Sequence, residues 1–286
     1  MSNARVLILG GTGFFGNALR QSLLQSGCQV GATFRNQPPI LEDQTSAFTR
    51  LDILDAEAVH ATLFDWDIVV NCTGQVTRPL SSCLEANSRG IVNIAAAVKS
   101  SGARLLHVSS MSVYGTAAQV DESTPPSPET PYATAKATAE SLLRDAVPSE
   151  RLTICRLSNL YGPGQKVGVI AYLQRSLRSD RKLTFNNDGS LRRFYVHVSD
   201  AAAMVARLAL DSRASGIFNL RGPESYSILD LIQQVEAQSG TKFDTRFEQV
   251  PPPENIDRID DTRLRELFDP NYDYSVRGFL REIGPA

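Results

Sequence analysis

The stretch Val6-Leu7-Ile8-Leu9-Gly10-Gly11-Thr12-Gly13-Phe14-Phe15-Gly16 decides how the chain reads. Its first four residues form a continuous apolar run, the signature of a strand buried on both faces of a parallel sheet. From Asn17 to Gln25 the apolar residues Ala18, Leu19, Leu23 and Leu24 fall at helical spacing. A strand, a glycine-rich turn and a helix in succession make a phosphate cradle. Glycine adopts dihedrals that a Cβ would forbid. It also lets a pyrophosphate approach the main chain, where the helix N-terminus offers unpaired N–H donors and a positive dipole end. Gly11-x-Gly13-x-x-Gly16 fits the dinucleotide fingerprint, with Gly10, Gly13, Phe14, Phe15 and Gly16 as the candidate cradle. A glycine motif alone can be an ordinary βα turn; here the strand before it and the helix after it agree with the cofactor reading.

Outward from this turn, strands and helices alternate as a parallel sheet requires. Gln29 to Phe34 reads as the second strand, with Arg35 after it. Phe48 to Asp52 reads as the third and Asp67 to Cys72 as the fourth, ended by Thr73-Gly74. Gln37-Pro38-Pro39 is a loop, and Ser82 to Val98 reads as one helix carrying the polar Asn87. In a dinucleotide fold the end of the second strand lies beside the adenosine ribose, where an acid would bond the 2′-hydroxyl and repel a 2′-phosphate. Phe34-Arg35 offers no acid there. A guanidinium suits a phosphate by charge and by its forked donors, so NADP(H) is the favoured cofactor, with NAD(H) the other option.

Bulk properties bound the rest. The 286 residues suffice for one large α/β domain, or a large and a small one. Hydrophobic residues make up 42% and charged residues 21%, an ordinary globular balance, and a formal net charge of −2 gives no reason to expect a nucleic-acid or anionic-membrane partner. No apolar run approaches the ~20 residues of a membrane span. The start, Met1-Ser2-Asn3-Ala4-Arg5, lacks a signal-peptide design, and Cys28, Cys72, Cys83 and Cys155 are scattered, so a cytoplasmic protein with reduced thiols is expected. His60, His107 and His197 show no ligand spacing, and no metal site is expected.

The chemistry gathers after the fifth strand, Arg104 to Val108, which runs into Ser109-Ser110-Met111-Ser112-Val113-Tyr114-Gly115. Hydroxyls at the carboxyl end of a central strand face the crevice where open α/β sheets bind ligands. Beyond a proline-rich loop comes Tyr132-Ala133-Thr134-Ala135-Lys136, opening an alanine-rich helix. Four residues apart, Tyr132 and Lys136 share one helix face. The ammonium favours the phenolate and draws the tyrosine down from its usual value of about 10, which makes Tyr132 a usable general acid or base. Ser110 can hydrogen-bond a substrate oxygen. Y-x-x-x-K arises often by chance, but here it follows a glycine cradle and a Ser-Ser strand end in the right order.

At these residues the sequence resembles the extended short-chain dehydrogenase/reductase family, the NAD(P)-dependent epimerases, dehydratases and reductases of nucleotide sugars. The markers run along nearly the whole chain: Gly10-x-x-Gly13-x-x-Gly16, Asn71-Cys72-Thr73-Gly74, Asn87-x-x-Gly90, Ser109-Ser110-x-x-Val113-Tyr114-Gly115, Tyr132-x-x-x-Lys136, Arg156 to Gly164 and Arg193 to Asp200. The resemblance implies that Ser110, Tyr132 and Lys136 are catalytic, with Lys136 also holding the nicotinamide ribose. It places Asp52 with Ile53 on the adenine side, and Cys72, Thr73 and Gly74 along the ribose. Asn87 lies beside the active-site strand, Asn159 binds substrate, and Arg193 and Arg258 contact a nucleotide diphosphate. It also implies a homodimer through the helices of Asn87 and Tyr132, where Ala133, Ala135, Ala137 and Ala139 would permit close approach. Two departures matter. Met111-Ser112 stands where the sugar 4,6-dehydratases carry an Asp-Glu pair, and Phe34-Arg35 replaces the acid of NAD-preferring epimerases.

The expected fold is therefore α/β: a Rossmann-type, doubly wound parallel sheet with a small mixed α/β substrate-binding lobe. Residues 1–160 form the NAD(P)-binding domain, with 191–215 returning to it. Residues 161–190 and 216–286, where Pro251-Pro252-Pro253 falls, form the lobe. The expected function is NADP(H)-dependent reduction of a keto sugar nucleotide, a 4-keto-6-deoxy sugar in particular. A sugar-nucleotide epimerase and a non-catalytic NADP(H) sensor remain as alternatives. A sensor has no need of an intact Ser110, Tyr132 and Lys136.

Overall fold

The computed structural model describes residues 4–36, 38, 47–74, 78–250 and 253–282. Gln37 and Pro39 of the expected loop, Pro251 and Pro252, and the first three residues lie outside the described residues. In chain order the elements are β1 (Arg5–Leu9), α1 (Phe14–Gln25), β2 (Gln29–Phe34), β3 (Ala47–Arg50), α2 (Ala56–Leu63), β4 (Ile68–Asn71), α3 (Leu80–Asn87), α4 (Arg89–Ser101) and β5 (Arg104–Ser110). After a 3₁₀ turn at Met111–Tyr114 come β6 (Ala117–Val120), α5 (Pro131–Ala146), β7 (Leu152–Leu157), β8 (Asn159–Tyr161), α6 (Val169–Leu177), β9 (Lys182–Phe185), β10 (Arg192–His197), α7 (Val198–Leu210) and β11 (Gly216–Leu220). The remaining elements are β12 (Glu224–Ser227), α8 (Ile228–Ser239), β13 (Asp244–Phe247), β14 (Ile256–Ile259), α9 (Thr262–Leu267) and α10 (Val276–Glu282).

Seven strands form one parallel sheet in the order β11-β7-β5-β4-β1-β2-β3. The strand order reverses between β1 and β4, and ligands of open α/β sheets bind outside the carboxyl ends at such a switch. The apolar runs that made these strands legible are buried: Val6, Leu7, Ile8 and Leu9 are at most 1% exposed. Side chains of β1 alternate between two cores. Val6 and Ile8 join Leu19 and Leu23 of α1 and Val205 and Leu208 of α7 on one face. Leu7 and Leu9 join Val59 of α2, Ile94 of α4 and Leu143 of α5 on the other. Helices on both faces make the sheet doubly wound.

The smaller elements surround the carboxyl end of the sheet. A third core, built from Ile170, Leu173, Leu183, Leu231 and Leu280 among others, joins α6, α8, α10, β9 and β10. A three-stranded sheet of order β12-β10-β8 and the pairs β13-β9 and β14-β6 complete the fold.

Three expectations need correction. Gly216–Leu220, assigned to the lobe by the sequence reading, pairs with β7 as the outermost strand of the large sheet, and Leu264 and Phe268 behind it pack into the α1/α7 core. The helix expected from Ser82 to Val98 is two helices, broken at Ser88 (φ −122°, ψ −86°). The break follows from Asn87, which is 1% exposed and turns its amide to the carbonyls of Gly74 (3.1 Å) and Cys83 (2.9 Å). Finally, Ala133, Ala135 and Ala139 are at most 2% exposed within the chain itself and Ala137 is half-buried, so three of the four alanines of α5 serve its own core.

Candidate active site

The turn after β1 fits a dinucleotide. Gly10 has φ +79°, and a Cβ on Gly16 would lie 2.3 Å from the Gly10 carbonyl oxygen, so the first turn of α1 lies directly against the strand end. Gly13 caps α1 without a side-chain bond, leaving the first-turn N–H groups of a 12-residue helix for an anion. Gly10 and Gly11 donate instead to Thr33, at Oγ1 (3.1 Å) and the carbonyl (3.0 Å), which stitches the cradle to the end of β2. Phe15 is buried in the α1/α7 core and Phe14 packs against its edge, so these two would meet a cofactor through their main chain. Arg35 follows β2 and is exposed. Asp52 is exposed and takes the Leu54 N–H (3.1 Å), while Ile53 is buried against Gly90 of α4.

Across the switch point, Asn71 ends β4. Its Oδ1 accepts both the N–H (3.0 Å) and the hydroxyl (2.6 Å) of Thr73, so its Nδ2 donates to Nδ1 of the cross-strand neighbour His107 (3.0 Å). Burial, with the Lys136 charge nearby, holds His107 well below its usual range and therefore neutral. This pair fixes Thr73, whose carbonyl faces Lys136.

Helix α5 carries the pair read from Y-x-x-x-K. Thr130 caps it, accepting the Ala133 N–H (3.2 Å), and Pro131 begins it. Lys136 is completely buried and donates to the carbonyls of Val108 (2.8 Å) and Thr73 (3.4 Å). An ammonium has three donors, and these two carbonyls use two of them. Burial pushes Lys136 down to about 8, opposed by the nearby Glu140 carboxylate. Tyr132 lies one turn earlier and lines a cavity of about 270 Å³ with Ser110, Met111, Ser112, Asn159 and Arg193. Ser110 Oγ accepts from the N–H (3.2 Å) and the hydroxyl (2.9 Å) of Ser112. With the Ser112 hydroxyl as the donor of this pair, both acceptor positions are filled and the Ser110 proton is left to point outward.

The cavity gathers Ser110, Tyr132, Asn159 and Arg193, but not Arg258, which is exposed on β14 opposite Gln119. Arg193 is not a free cation. It donates to the carbonyls of Arg192, Pro253 and Glu254 and pairs with the Glu254 carboxylate (3.5 Å). Glu254 also lines the cavity, accepts from Thr130 Oγ1 (2.5 Å), and holds φ +61°, a backbone strain for a residue with a Cβ. The sequence shows only a proline-rich turn there.

A second polar group lies behind the strand end. Arg156 and Glu140 form a completely buried ion pair (2.6 Å), joined by the Ser109 hydroxyl on Glu140 and by the Tyr114 ring 4.5 Å from the guanidinium. Ser109 and Ser110 point to opposite faces of β5, so one hydroxyl anchors this pair and the other faces the cavity. The available signals were a cation inside the apolar strand Leu-Thr-Ile-Cys-Arg-Leu and an acid four residues after Lys136 on the buried stripe of α5. Among the described residues, no group of three or more His, Cys, Asp or Glu could hold a metal ion, and no helix is long and apolar enough to cross a membrane.

Known proteins resemble this one along nearly its full length. A dTDP-glucose 4,6-dehydratase of Streptomyces niveus is 27% identical over 289 residues, covering 91% of this chain and 86% of the relative. A dTDP-6-deoxy-L-talose 4-dehydrogenase (NAD(P)(+)) of Kitasatospora kifunensis is 29% identical over 310 residues, covering 99% and 95%. The structure of UDP-glucuronic acid 4-epimerase from Bacillus cereus, in complex with UDP-glucuronic acid and NAD, superposes with a TM-score of 0.85 at 23% identity, covering 98% of each chain, and so shares the fold. The model of the NAD dependent epimerase/dehydratase family matches residues 6–220, from the first strand of the large sheet to its last, and the chain belongs to that family.

Proposed function

We propose that the chain is an NADP(H)-dependent oxidoreductase that reduces a keto sugar nucleotide, with a 4-keto-6-deoxy sugar as the substrate class. The observation that carries this reading is the cavity itself. Ser110 and Tyr132 share it, Lys136 lies one turn behind Tyr132, and Met111 and Ser112 form the wall where an elimination would need an acid and a base. Bound NADPH supplies the hydride. Ser110 donates a hydrogen bond to the keto oxygen and polarises the carbonyl without giving up its proton. Tyr132 gives its phenolic proton to that oxygen as charge develops on it. Lys136, tied to two carbonyls, keeps a positive charge behind the tyrosine and turns its third donor to the ribose. Asn159 lines the sugar side, and Arg193 lies in the wall with Glu254 as its counter-ion. The exposed Arg35 at the end of β2 supports NADP(H), and the 29% identical dehydrogenase named for both cofactors supports a dehydrogenase-type reaction.

The reading includes a cytoplasmic homodimer. Leu80 and Leu84 of α3 and Val92 of α4 are each 45–49% exposed and offer an apolar face in place of the alanines of α5. Light scattering at micromolar concentration tests it, because a 31.2 kDa species would mark a monomer. The function is tested with a panel of nucleotide 4-keto and 4-hydroxy sugars. NADPH absorbance is expected to fall in proportion to the keto sugar supplied. Conversion of a 4-hydroxy sugar to its epimer with no net change in cofactor would replace the reductase with an epimerase.

A further inference from the structure

We infer that Arg50, at the end of β3, is a second reader of the 2′-phosphate alongside Arg35; this rests on the NADP(H) reading above. The placement follows from the sheet register. Parallel pairing sets Phe34 opposite Arg50, so the last residue of β3 stands beside the last residue of β2, with Arg35 next in the chain. Arg50 Nε donates to the Arg35 carbonyl at 3.2 Å. That bond ties the base of one guanidinium to the backbone carrying the other, and both arginines are exposed.

This corner is attached to the phosphate cradle. Gly10 and Gly11 both bond Thr33, two residues before Arg35, so a dinucleotide whose pyrophosphate lies on α1 extends its adenosine toward Phe34, Arg35 and Arg50. The segments Thr33-Phe34-Arg35-Asn36 and Phe48-Thr49-Arg50-Leu51 hold two cations and no acid, and Asp52 beyond them spends an oxygen on the Leu54 N–H. Two like charges at neighbouring strand ends oppose each other in the free protein. A dianionic phosphate between them reverses the sign of that interaction. It also offers enough acceptor oxygens for both guanidinium forks. A 2′-hydroxyl does neither, so the pair discriminates between the two cofactors.

The test uses fragments that differ only in the phosphate: adenosine 2′,5′-bisphosphate and 5′-AMP, titrated by calorimetry into the full chain. The unaltered protein should bind the bisphosphate more tightly, with a preference that shrinks as salt rises. Arg50→Ala should lose tenfold to a hundredfold for the bisphosphate and little for 5′-AMP. Arg50→Gln, which can still donate to the Arg35 carbonyl but lacks the charge, should lose nearly as much, separating charge from loop support. If the unaltered protein prefers the bisphosphate and both Arg50 variants keep that preference in full, the inference is overturned while the NADP(H) reading stands. If the unaltered protein binds the two fragments equally, the NADP(H) reading itself fails.

Discussion

Replacing Lys136 with methionine separates what this residue does for chemistry from what it costs the fold. The ammonium is completely buried, and burial brings it from the usual 10.5 to about 8. At 1.36 kcal/mol per pK unit, that depression corresponds to roughly 3 kcal/mol. Below pH 8 the lysine is protonated both folded and unfolded, and folding bears the full cost of burying the charge. Between about pH 8 and 10.5 the unfolded chain holds one proton more than the folded chain, so stability rises with pH. Methionine, of similar length and uncharged, removes this dependence. It also leaves the carbonyls of Val108 and Thr73 without their donor, at about 1–3 kcal/mol each, an offset that does not vary with pH. The stability of the unaltered protein minus that of Lys136→Met, from urea unfolding, should therefore grow by roughly 3 kcal/mol from pH 7 to 10.5. Turnover should disappear in the variant at every pH. In the unaltered protein kcat/KM should fall above about pH 8, as the ammonium behind Tyr132 loses its proton. A stability difference that stays flat across that interval would refute the buried-ammonium argument.

Three further substitutions probe neighbouring links. Tyr132→Phe should abolish turnover while leaving NADP+ affinity, measured by calorimetry, within a few-fold of normal, since only the proton-bearing hydroxyl is lost. Ser112→Ala removes the hydroxyl that orients Ser110, so kcat should drop about tenfold, one charge-independent hydrogen bond's worth, with the fold intact by circular dichroism. Glu140→Ala strands the buried Arg156 guanidinium and should destabilise the protein by about 3–5 kcal/mol; an unfolding midpoint near normal would show that the pair is not load-sharing between α5 and β7.

Periodicity and turn chemistry made much of the fold legible. Continuous apolar runs marked β1, β2, β4, β5 and β7 because both faces of a central parallel strand are buried, and the edge strand Gly216–Leu220 was misassigned because its short run follows a turn and resembles lobe sequence. The α3/α4 break was hidden because helical spacing continues through Ser88 while the cause, Asn87 bonding to Gly74, is a tertiary contact. In the site, Ser110, Tyr132 and Lys136 could be found from spacing along single elements. The counter-ion of Arg193 could not: Glu254 is 61 residues away, and only the fold brings the two together. The role of Ser112 was likewise invisible, since its contacts with Ser110 are set by the turn that follows the strand end.

In the proposed reaction Ser110, Tyr132 and Lys136 direct a hydride from NADPH to a keto carbon of a sugar nucleotide and a proton to its oxygen. The most direct measurement uses NADPH carrying deuterium at nicotinamide C4, incubated with a nucleotide 4-keto-6-deoxy sugar, with the product examined by mass spectrometry and NMR. One deuterium is expected at sugar C4 for each NADPH consumed, and none when Tyr132→Phe replaces the unaltered protein. Product formed without deuterium at C4, or formed with no NADPH consumed, would contradict it.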